Sequence, residues 1–396
     1  MSDETKASAT VSDYLRWRGD LTFAQDGFNE VDNLLLCIIS YIKLENIPRL
    51  RSFDPQDAMP MGDVCRLLTE EDEQLGLSTL DYIPLMRQAA ETPRFREVSL
   101  FAFESLHDED RQMQFAAVSF LLPDGSVYAA YRGTDMTIVG WQEDFNMSFL
   151  SAVPAQVKAA EYAGAVARAC PRRPLRIGGH SKGGNLAAWA AVHLDEKLQR
   201  QRLIAAYNND GPGFSRDLVD TPSYQAVADR LFPYIPASSF VGVLLEHAED
   251  YEVVDSTARS IMQHEPLSWC VEGPRFVHLG QRSQLGQLSD GVLREWIGSM
   301  SPQEREQFSR AFFDILSRGG RTKTLEDLRS GGLAAGAALI REYAGADEEK
   351  KKIISEIFRR LAVDVKDELV KAAGAGVRRA GESILATGQA IADLRK

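Results

Sequence analysis

Apolar and polar positions follow two different periods along the first third of the chain. Apolar residues recur at helical spacing within residues 28–43, which predicts an amphipathic helix packed on the core. Short apolar or alternating runs over residues 98–103, 114–122 and 127–131 predict strands. The sequence Pro123-Asp124-Gly125 separates the last two runs and predicts a hairpin turn.

Beyond the hairpin, helical and strand-like segments alternate. The spacing is helical over residues 156–169, strand-like over 175–178 and helical again from about residue 183. Strand-like runs follow at residues 203–207 and 251–254. Strands that alternate with helices indicate an α/β fold with a mainly parallel central sheet and helices on both faces.

From about residue 301 the chain is charged, rich in alanine and without strand signals. Ser301-Pro302-Gln303-Glu304 is typical of a helix start, because serine caps and proline suits the first helical position. An apolar stripe at spacings of three and four residues must then be buried against something; its members are Ile354, Phe358, Leu361, Val365 and Leu369. A helical cap on the core and an arm for homo-oligomerisation or for a partner protein are both open interpretations.

Composition narrows the class of protein. The 396 residues are 44% hydrophobic and 26% charged, which suffices for one large α/β core with additions. A formal net charge of −12, without clustered Lys and Arg, argues against nucleic-acid binding. Four widely spaced cysteines without a C-x-x-C pair suggest neither a zinc site nor a disulfide framework.

Hydropathy gives an expectation about location. Residues 1–10 carry charge and no apolar core of a signal peptide, and no window approaches 18 uncharged apolar residues. We therefore expect a cytoplasmic protein without a transmembrane segment. Basic residues in the C-terminal region are offset by nearby acids, which disfavours attachment to a membrane surface.

The pentapeptide Gly179-His180-Ser181-Lys182-Gly183 carries the strongest chemical signal. An apolar strand-like run enters it and an alanine-rich helical run leaves it. A serine on a sharp turn from strand to helix has an exposed Oγ, and flanking glycines allow the close backbone packing that such a turn requires. This pattern predicts a nucleophile elbow with Ser181 as the catalytic serine. No metal or organic cofactor is needed for that chemistry.

Further motifs resemble a known family. Three of them are similar to the class 3 (fungal-type) lipases of the α/β-hydrolase superfamily: Arg132-Gly133-Thr134 after a strand, Trp141 with Asp144, and the elbow followed by a second glycine. Three others resemble a bacterial branch of lipase-like proteins of unknown function: Trp17-Arg18-Gly19-Asp20, Asp210-Gly211-Pro212-Gly213-Phe214 and Gln263-His264. The resemblance covers roughly residues 11 to 280.

The resemblance implies an α/β-hydrolase fold and an oxyanion hole. Thr134 lies where the lipase family has its oxyanion residue, and the backbone N–H of Lys182 would be the second donor. The implied organisation is an N-terminal helical segment packed on the core (1–50), a lipase-like catalytic domain (51–300) and a C-terminal helical extension (301–396).

A catalytic serine needs a base, and the chain has six histidines: His107, His180, His193, His247, His264 and His278. His180 is inside the elbow, and His107 and His193 fit the hydrolase order of serine, acid and histidine poorly. We favour His264, because it follows the last convincing strand and belongs to the Gln-His motif. A buried structural histidine is the alternative interpretation.

The acid is less well defined by the sequence. Residues 234–239, where ordinary α/β-hydrolases carry the acid, contain no carboxylate. Asp210 ends the strand that follows the nucleophile unit, a position that some lipases use for the acid. Asp210 is therefore the predicted acid, although it could also only cap its turn; Asp250 and Asp255 are the reserves.

The combined prediction is a serine esterase of the lipase type. Apolar residues within 145–154 and 240–245 could form a groove for an apolar acyl group, or could simply pack on the sheet. The substrate would be a small-molecule or lipid ester. The alternatives are an acyltransferase that uses the same residues, and a weakly catalytic hydrolase scaffold whose helical tail binds a partner.

Overall fold

The computed structural model describes residues 8–69, 82–108, 110–134, 142–143, 145–147, 150–239, 241–242, 245, 250–283, 286, 299–318, 348, 351–353 and 355. Its helices include α1 (Val11–Arg18), α2 (Glu30–Ile39), α3 (Met61–Leu67), α4 (Tyr82–Glu91), α5 (Pro154–Ala169), α6 (Lys182–His193), α7 (Glu196–Gln201), α8 (Arg216–Val219), α9 (Pro222–Gln225) and α10 (Pro302–Arg318). Its strands include β1 (Met59–Pro60), β2 (Ser99–Asp108), β3 (Met113–Leu121), β4 (Val127–Tyr131), β5 (Leu175–His180), β6 (Leu203–Asn209), β7 (Leu231–Pro236), β8 (Glu252–Val254), β9 (Val271–Glu272), β10 (Arg275–Phe276) and β11 (His278–Leu279).

The central sheet has the order β1-β2-β3-β4-β5-β6-β7-β8-β11 in the described part of the chain. Strands β4 to β8 run parallel to one another. Strands β1, β2 and β3 at one edge and β11 at the other pair antiparallel. The fold is therefore mixed α/β with a large, mostly parallel central sheet, which confirms the predicted class. Strands β9 and β10 form a separate antiparallel pair.

The predicted hairpin joins β3 to β4. Leu121 pairs with Val127, and Gly125 has φ +84, a conformation that glycine adopts without steric cost. Asp124 Oδ1 accepts a hydrogen bond of 2.9 Å from the backbone N–H of Ser126. The turn chemistry that the sequence indicated is thus the one that the chain uses.

Helices cover both faces of the sheet, as two tyrosines of β4 show. The Tyr128 hydroxyl donates to Asn33 Oδ1 of α2 at 2.6 Å. On the opposite face, the Tyr131 hydroxyl donates to the carbonyl of Ala159 in α5 at 2.8 Å. Because side chains alternate between the faces of a strand, α2 and α5 flank opposite sides of β4.

Helix α2 was expected to be amphipathic, and that expectation is wrong. All of its residues from Val31 to Ile39 are buried, including Asp32. Asp32 pairs with Arg94, whose Nη2 lies 2.6 Å from Asp32 Oδ2, and neither side chain is exposed. The carboxylate of Asp32 is therefore covered by the charge of Arg94 rather than by water.

The chain divides into two compact units. The first comprises Met1–Asp135 and Pro154–Arg282, and the second comprises Met136–Val153 and Ser283–Lys396. Helix α10 of the second unit begins where the sequence predicted, with Glu304 N–H donating to Ser301 Oγ at 3.2 Å. No helix among the described residues is long and apolar enough to cross a membrane. The predicted apolar stripe from Ile354 to Leu369 lies outside the described residues, as do Trp141 and Asp144.

Candidate active site

Ser181 lies on a sharp turn between β5 and α6. Its φ of 58° and ψ of −134° are unusual for a residue with a side chain. A Cβ on Gly179 would fall 2.1 Å from the carbonyl oxygen of Gly183, and one on Gly183 would fall 2.2 Å from that of Tyr131. The two glycines of the motif therefore allow the strand, the helix and β4 to meet at the serine. This is the backbone geometry that the elbow motif predicts.

Asp210 follows the last residue of β6 and is completely buried. Its φ of 53° is one that Asp tolerates better than most residues. Its backbone N–H donates to the carbonyl of Tyr234 in β7 at 2.8 Å, and Gly242 N–H donates to Oδ1 at 3.1 Å. The carboxylate is thus fixed in position at the carboxyl ends of two neighbouring parallel strands.

The carboxylate of Asp210 is hydrogen-bonded to His264. Asp210 Oδ2 lies 2.6 Å from His264 Nδ1 and also accepts from the Ser239 hydroxyl at 2.7 Å. Because a carboxylate accepts hydrogen bonds, His264 carries a hydrogen on Nδ1 and donates it to Asp210. Asp255 instead accepts from the backbone N–H of Ser256 at 2.8 Å. The structure therefore joins the predicted base to the predicted acid and not to that reserve.

The turn that follows Asp210 is held on the helix that follows Ser181. Asn208 Oδ1 accepts from Gly211 N–H at 2.8 Å. On α6, Asn185 Nδ2 donates to the carbonyls of Pro212 and Gly213 at 3.1 and 3.0 Å. These amide side chains couple the position of the acid to the elbow.

The loop that carries His264 is anchored on both sides of the imidazole. Gln263 Oε1 accepts from the backbone N–H of Ser238 at 2.7 Å, and the Gln263 carbonyl accepts from the indole of Trp269 at 3.0 Å. The His264 carbonyl oxygen lies 2.8 Å from His180 Nε2. The side chain of His264 is only 13% exposed. In the Gln-His motif, Gln263 thus fixes the loop and His264 is hydrogen-bonded to Asp210.

The Arg-Gly-Thr segment leaves β4 beside the elbow. Arg132 donates from Nε to the carbonyl of Ser40 at 2.8 Å and from Nη2 to that of Ile42 at 3.0 Å. A Cβ on Gly133 would fall 3.1 Å from Ser181 Cβ, so this segment passes directly against the nucleophile turn. Thr134 follows it and is partly exposed.

Lys182 is the first residue of α6, so its backbone N–H points out of the N-terminal end of the helix. Its side chain is buried, and Nζ donates to the carbonyl oxygen and to Oε1 of Gln114 at 2.8 and 2.7 Å. The buried side chain fixes the start of the helix next to Ser181.

His264 lies against His180, the residue that directly precedes Ser181. The His180 and His264 rings have centroids 4.6 Å apart, and His180 directly precedes Ser181. Among the described residues, no hydrogen bond connects the Ser181 hydroxyl to the His264 ring.

Comparison with known proteins identifies the family. The family model described as Mbeg1-like matches residues 89–314, more than half of the chain. The chain belongs to the Mbeg1-like family. Searches of curated proteins and of solved structures returned no match. The Mbeg1-like region contains Ser181, Asp210 and His264, whereas α1, α2 and α3 precede it.

The other histidines that the structure describes lie elsewhere and are not hydrogen-bonded to Asp210. In the Mbeg1-like region, His193 stacks on Trp189 with centroids 3.9 Å apart. His278 lies between two carboxylates, with Nε2 2.7 Å from Glu30 and Nδ1 3.0 Å from Glu252. His107 lies on β2, and His247 lies outside the described residues. No group of three or more potential metal ligands occurs within the part of the chain that is described.

Several residues of the site were not identified from the sequence. Ser239, in the segment 234–239 where no carboxylate was found, donates to the Asp210 carboxylate. Asn185 and Asn208 hold the turn, and a polar residue after an apolar strand was the signal that could have found Asn208. Tyr41 contacts His180 from outside the Mbeg1-like region, and no local pattern marks it.

Proposed function

We propose that this chain is a serine hydrolase of the α/β-hydrolase fold that cleaves carboxylic esters of apolar acyl groups. The observation that carries the proposal is the 2.6 Å hydrogen bond between His264 Nδ1 and the buried carboxylate of Asp210. The His264 ring contacts that of His180, the residue before Ser181, and the φ of 58° at Ser181 belongs to a turn from strand to helix. A nucleophile, a base and a carboxylate that orients the base are the parts that acyl transfer requires.

In the proposed reaction, Ser181 Oγ attacks the ester carbonyl while His264 Nε2 accepts its proton. Asp210 stabilises the imidazolium through the Nδ1–H hydrogen bond. Negative charge develops on the carbonyl oxygen. Thr134 and the backbone N–H of Lys182 would stabilise that charge. His264 then gives its proton to the departing alcohol, which leaves an acyl-enzyme on Ser181. Water, with His264 again as base, releases the acid and restores the serine.

The position of the acid supports a lipase-like arrangement of this machinery. Asp210 lies at the end of β6, whereas most α/β-hydrolases would have the acid at the end of β7. Here the segment after β7 contributes Ser239, which donates to the same carboxylate oxygen as His264. A serine in that place supports an acid on the neighbouring strand, and no second carboxylate is needed.

The preference for an apolar acyl group rests on two observations. The motifs around Thr134 and Ser181 are similar to those of class 3 lipases, which act on such esters. Met262 lies two residues before His264 and is 56% exposed. An exposed apolar side chain on the loop that carries the base offers a contact for an acyl chain.

A fluorophosphonate probe tests the proposal without knowledge of the natural substrate. We expect the purified wild type to react, the Ser181→Ala and His264→Ala variants to lose the reaction, and Ser126→Ala, on the distant hairpin, to react like the wild type. The p-nitrophenyl esters of graded acyl length would then measure the acyl preference. A folded wild type that neither reacts with the probe nor hydrolyses any ester would refute the proposal.

A further inference from the structure

A residue outside the Mbeg1-like region touches the residue next to the nucleophile. Tyr41 follows α2 and is 8% exposed. Its hydroxyl lies 3.1 Å from His180 Nδ1 and 3.2 Å from the His180 carbonyl oxygen. The two rings have centroids 6.0 Å apart. The N-terminal segment therefore reaches the residue before Ser181 through the phenol of Tyr41.

The hydrogen-bond partners of His180 determine which of its ring nitrogens carries the hydrogen. Nε2 lies 2.8 Å from the carbonyl oxygen of His264, which can only accept, so Nε2 carries a hydrogen. Burial, together with the charge of His264, lowers the pKa of His180 well below its ordinary value, which keeps the ring neutral. Nδ1 is then an acceptor, and the Tyr41 hydroxyl shares its one hydrogen between Nδ1 at 3.1 Å and the His180 carbonyl oxygen at 3.2 Å. The hydroxyl of Tyr41 thus favours the one tautomer that can hold the His264 loop.

The Tyr41 phenol also packs against the segment Arg132-Gly133-Thr134, called the oxyanion segment below because Thr134 is its proposed oxyanion residue. A Cβ on Gly133 would fall 2.1 Å from Tyr41 Oη, so the backbone of Gly133 lies directly against the hydroxyl. The carbonyls of Ser40 and Ile42, on either side of Tyr41, accept hydrogen bonds from Arg132. Residues 40–42 therefore fix the segment that precedes Thr134 as well as His180.

We propose that Tyr41 and His180 are positioning residues for the reaction at Ser181, linked by hydrogen bonds from Tyr41 Oη–H to His180 Nδ1 and from His180 Nε2–H to the His264 carbonyl. The inference rests on the proposed function. Neither residue exchanges a proton with the substrate. Their effect is to hold the His264 loop and the oxyanion segment at fixed positions relative to the elbow.

The first test compares rates of reaction with the fluorophosphonate probe. We expect Tyr41→Phe to slow the reaction about tenfold, since one buried hydrogen bond is lost without loss of volume. We expect His180→Leu to slow it about a hundredfold, because both bonds disappear. His180→Gln can still donate to the His264 carbonyl, so its rate should return to within about threefold of the wild type.

Tyr162→Phe is the matched control. Its hydroxyl is buried in the same unit and bonds to Ser119 Oγ at 2.8 Å and to the carbonyl of Ala102 at 2.7 Å, away from the elbow. A comparable loss of buried hydrogen bonds should leave the probe rate unchanged. Circular dichroism melting of each variant confirms that folded protein is compared.

The second test reads the tautomer and does not depend on catalysis. Nitrogen-15 spectra of protein labelled at histidine distinguish a ring protonated at Nε2 from one protonated at Nδ1, and the signal lost in His180→Gln assigns His180. We expect the Nε2–H form in the wild type and in Tyr162→Phe, and a mixture of both forms in Tyr41→Phe.

The outcomes separate this inference from the proposed function. A wild type that does not react with the probe refutes the hydrolase, while the tautomer measurement still decides the role of Tyr41. A reactive wild type with an unchanged Tyr41→Phe, or a His180→Gln variant as slow as His180→Leu, overturns the positioning role. An Nδ1–H form of His180 in the wild type overturns it as well.

Discussion

Replacing Asp210 by asparagine should nearly abolish the reactivity of Ser181. The carboxylate accepts from His264, Ser239 and Gly242, and all three partners are donors. An asparagine side chain carries one oxygen and one NH₂ group, so in either orientation the NH₂ group faces at least one donor. In the proposed reaction, the variant would also lack the negative charge that stabilises the imidazolium of His264 in the transition state.

The magnitude follows from burial. Asp210 is completely buried, and breaking one partner of a buried charged pair typically costs about 3 to 5 kcal/mol. If that loss falls on the transition state, at about 1.4 kcal/mol per tenfold it corresponds to a rate lowered by about 140-fold to about 3700-fold.

The assay is the concentration dependence of fluorophosphonate labelling, followed by hydrolysis of a p-nitrophenyl ester. Asp255→Asn is the control, because the Asp255 carboxylate accepts from Ser256 N–H and has no hydrogen bond to His264 among the described residues; this variant should react like the wild type. A folded Asp210→Asn variant that reacts within about threefold of the wild type would refute the reasoning, since no such change is compatible with a loss of that size.

Three further substitutions test individual contacts. Gly133→Ala should lower the probe rate at least about tenfold, because its Cβ would fall 2.1 Å from Tyr41 Oη; an unchanged rate would contradict the close packing of that segment. Ser239→Ala should lower the same rate about tenfold through loss of one hydrogen bond to Asp210, and a normal rate would argue against its supporting role. Burial opposes the charge of His278, but hydrogen bonds to Glu30 and Glu252 raise its pKa above the ordinary 6.5. The hydrogen bonds of the charged His278 ring therefore stabilise the folded protein below pH 6.5, and this contribution is lost as the pH rises through the raised pKa. Tm should fall more between pH 6 and 8 in the wild type than in His278→Gln.

Local signals were sufficient to predict the sharp turn at Ser181 and the position of Asp210 after a strand. Gly179 and Gly183 flank the serine within one turn, and the backbone contacts that require them lie within a few residues. Asp210 was predicted as the acid because it ends the strand after the Ser181 unit, a position that some lipases use for the acid. The parallel order of β5 and β6 then brings the two turns to the same edge of the sheet.

Contacts between distant parts of the chain could not be predicted in this way. Tyr41 and His180 are 139 positions apart, and nothing in the local pattern of either residue points to the other. Asp32 has the spacing of a solvent-facing position, but Arg94, 62 positions away, covers it. Strands of two residues, such as β1 and β11, are too short to produce a periodic signal.

Detection of an acyl-enzyme on Ser181 tests the central claim most directly. The protein is mixed with a p-nitrophenyl ester and quenched in acid, and its peptides are weighed by mass spectrometry. We expect the acyl mass on the peptide that contains Ser181 in the wild type, and none in Ser181→Ala. Ester turnover without that adduct, or an adduct that persists in Ser181→Ala, would contradict the account.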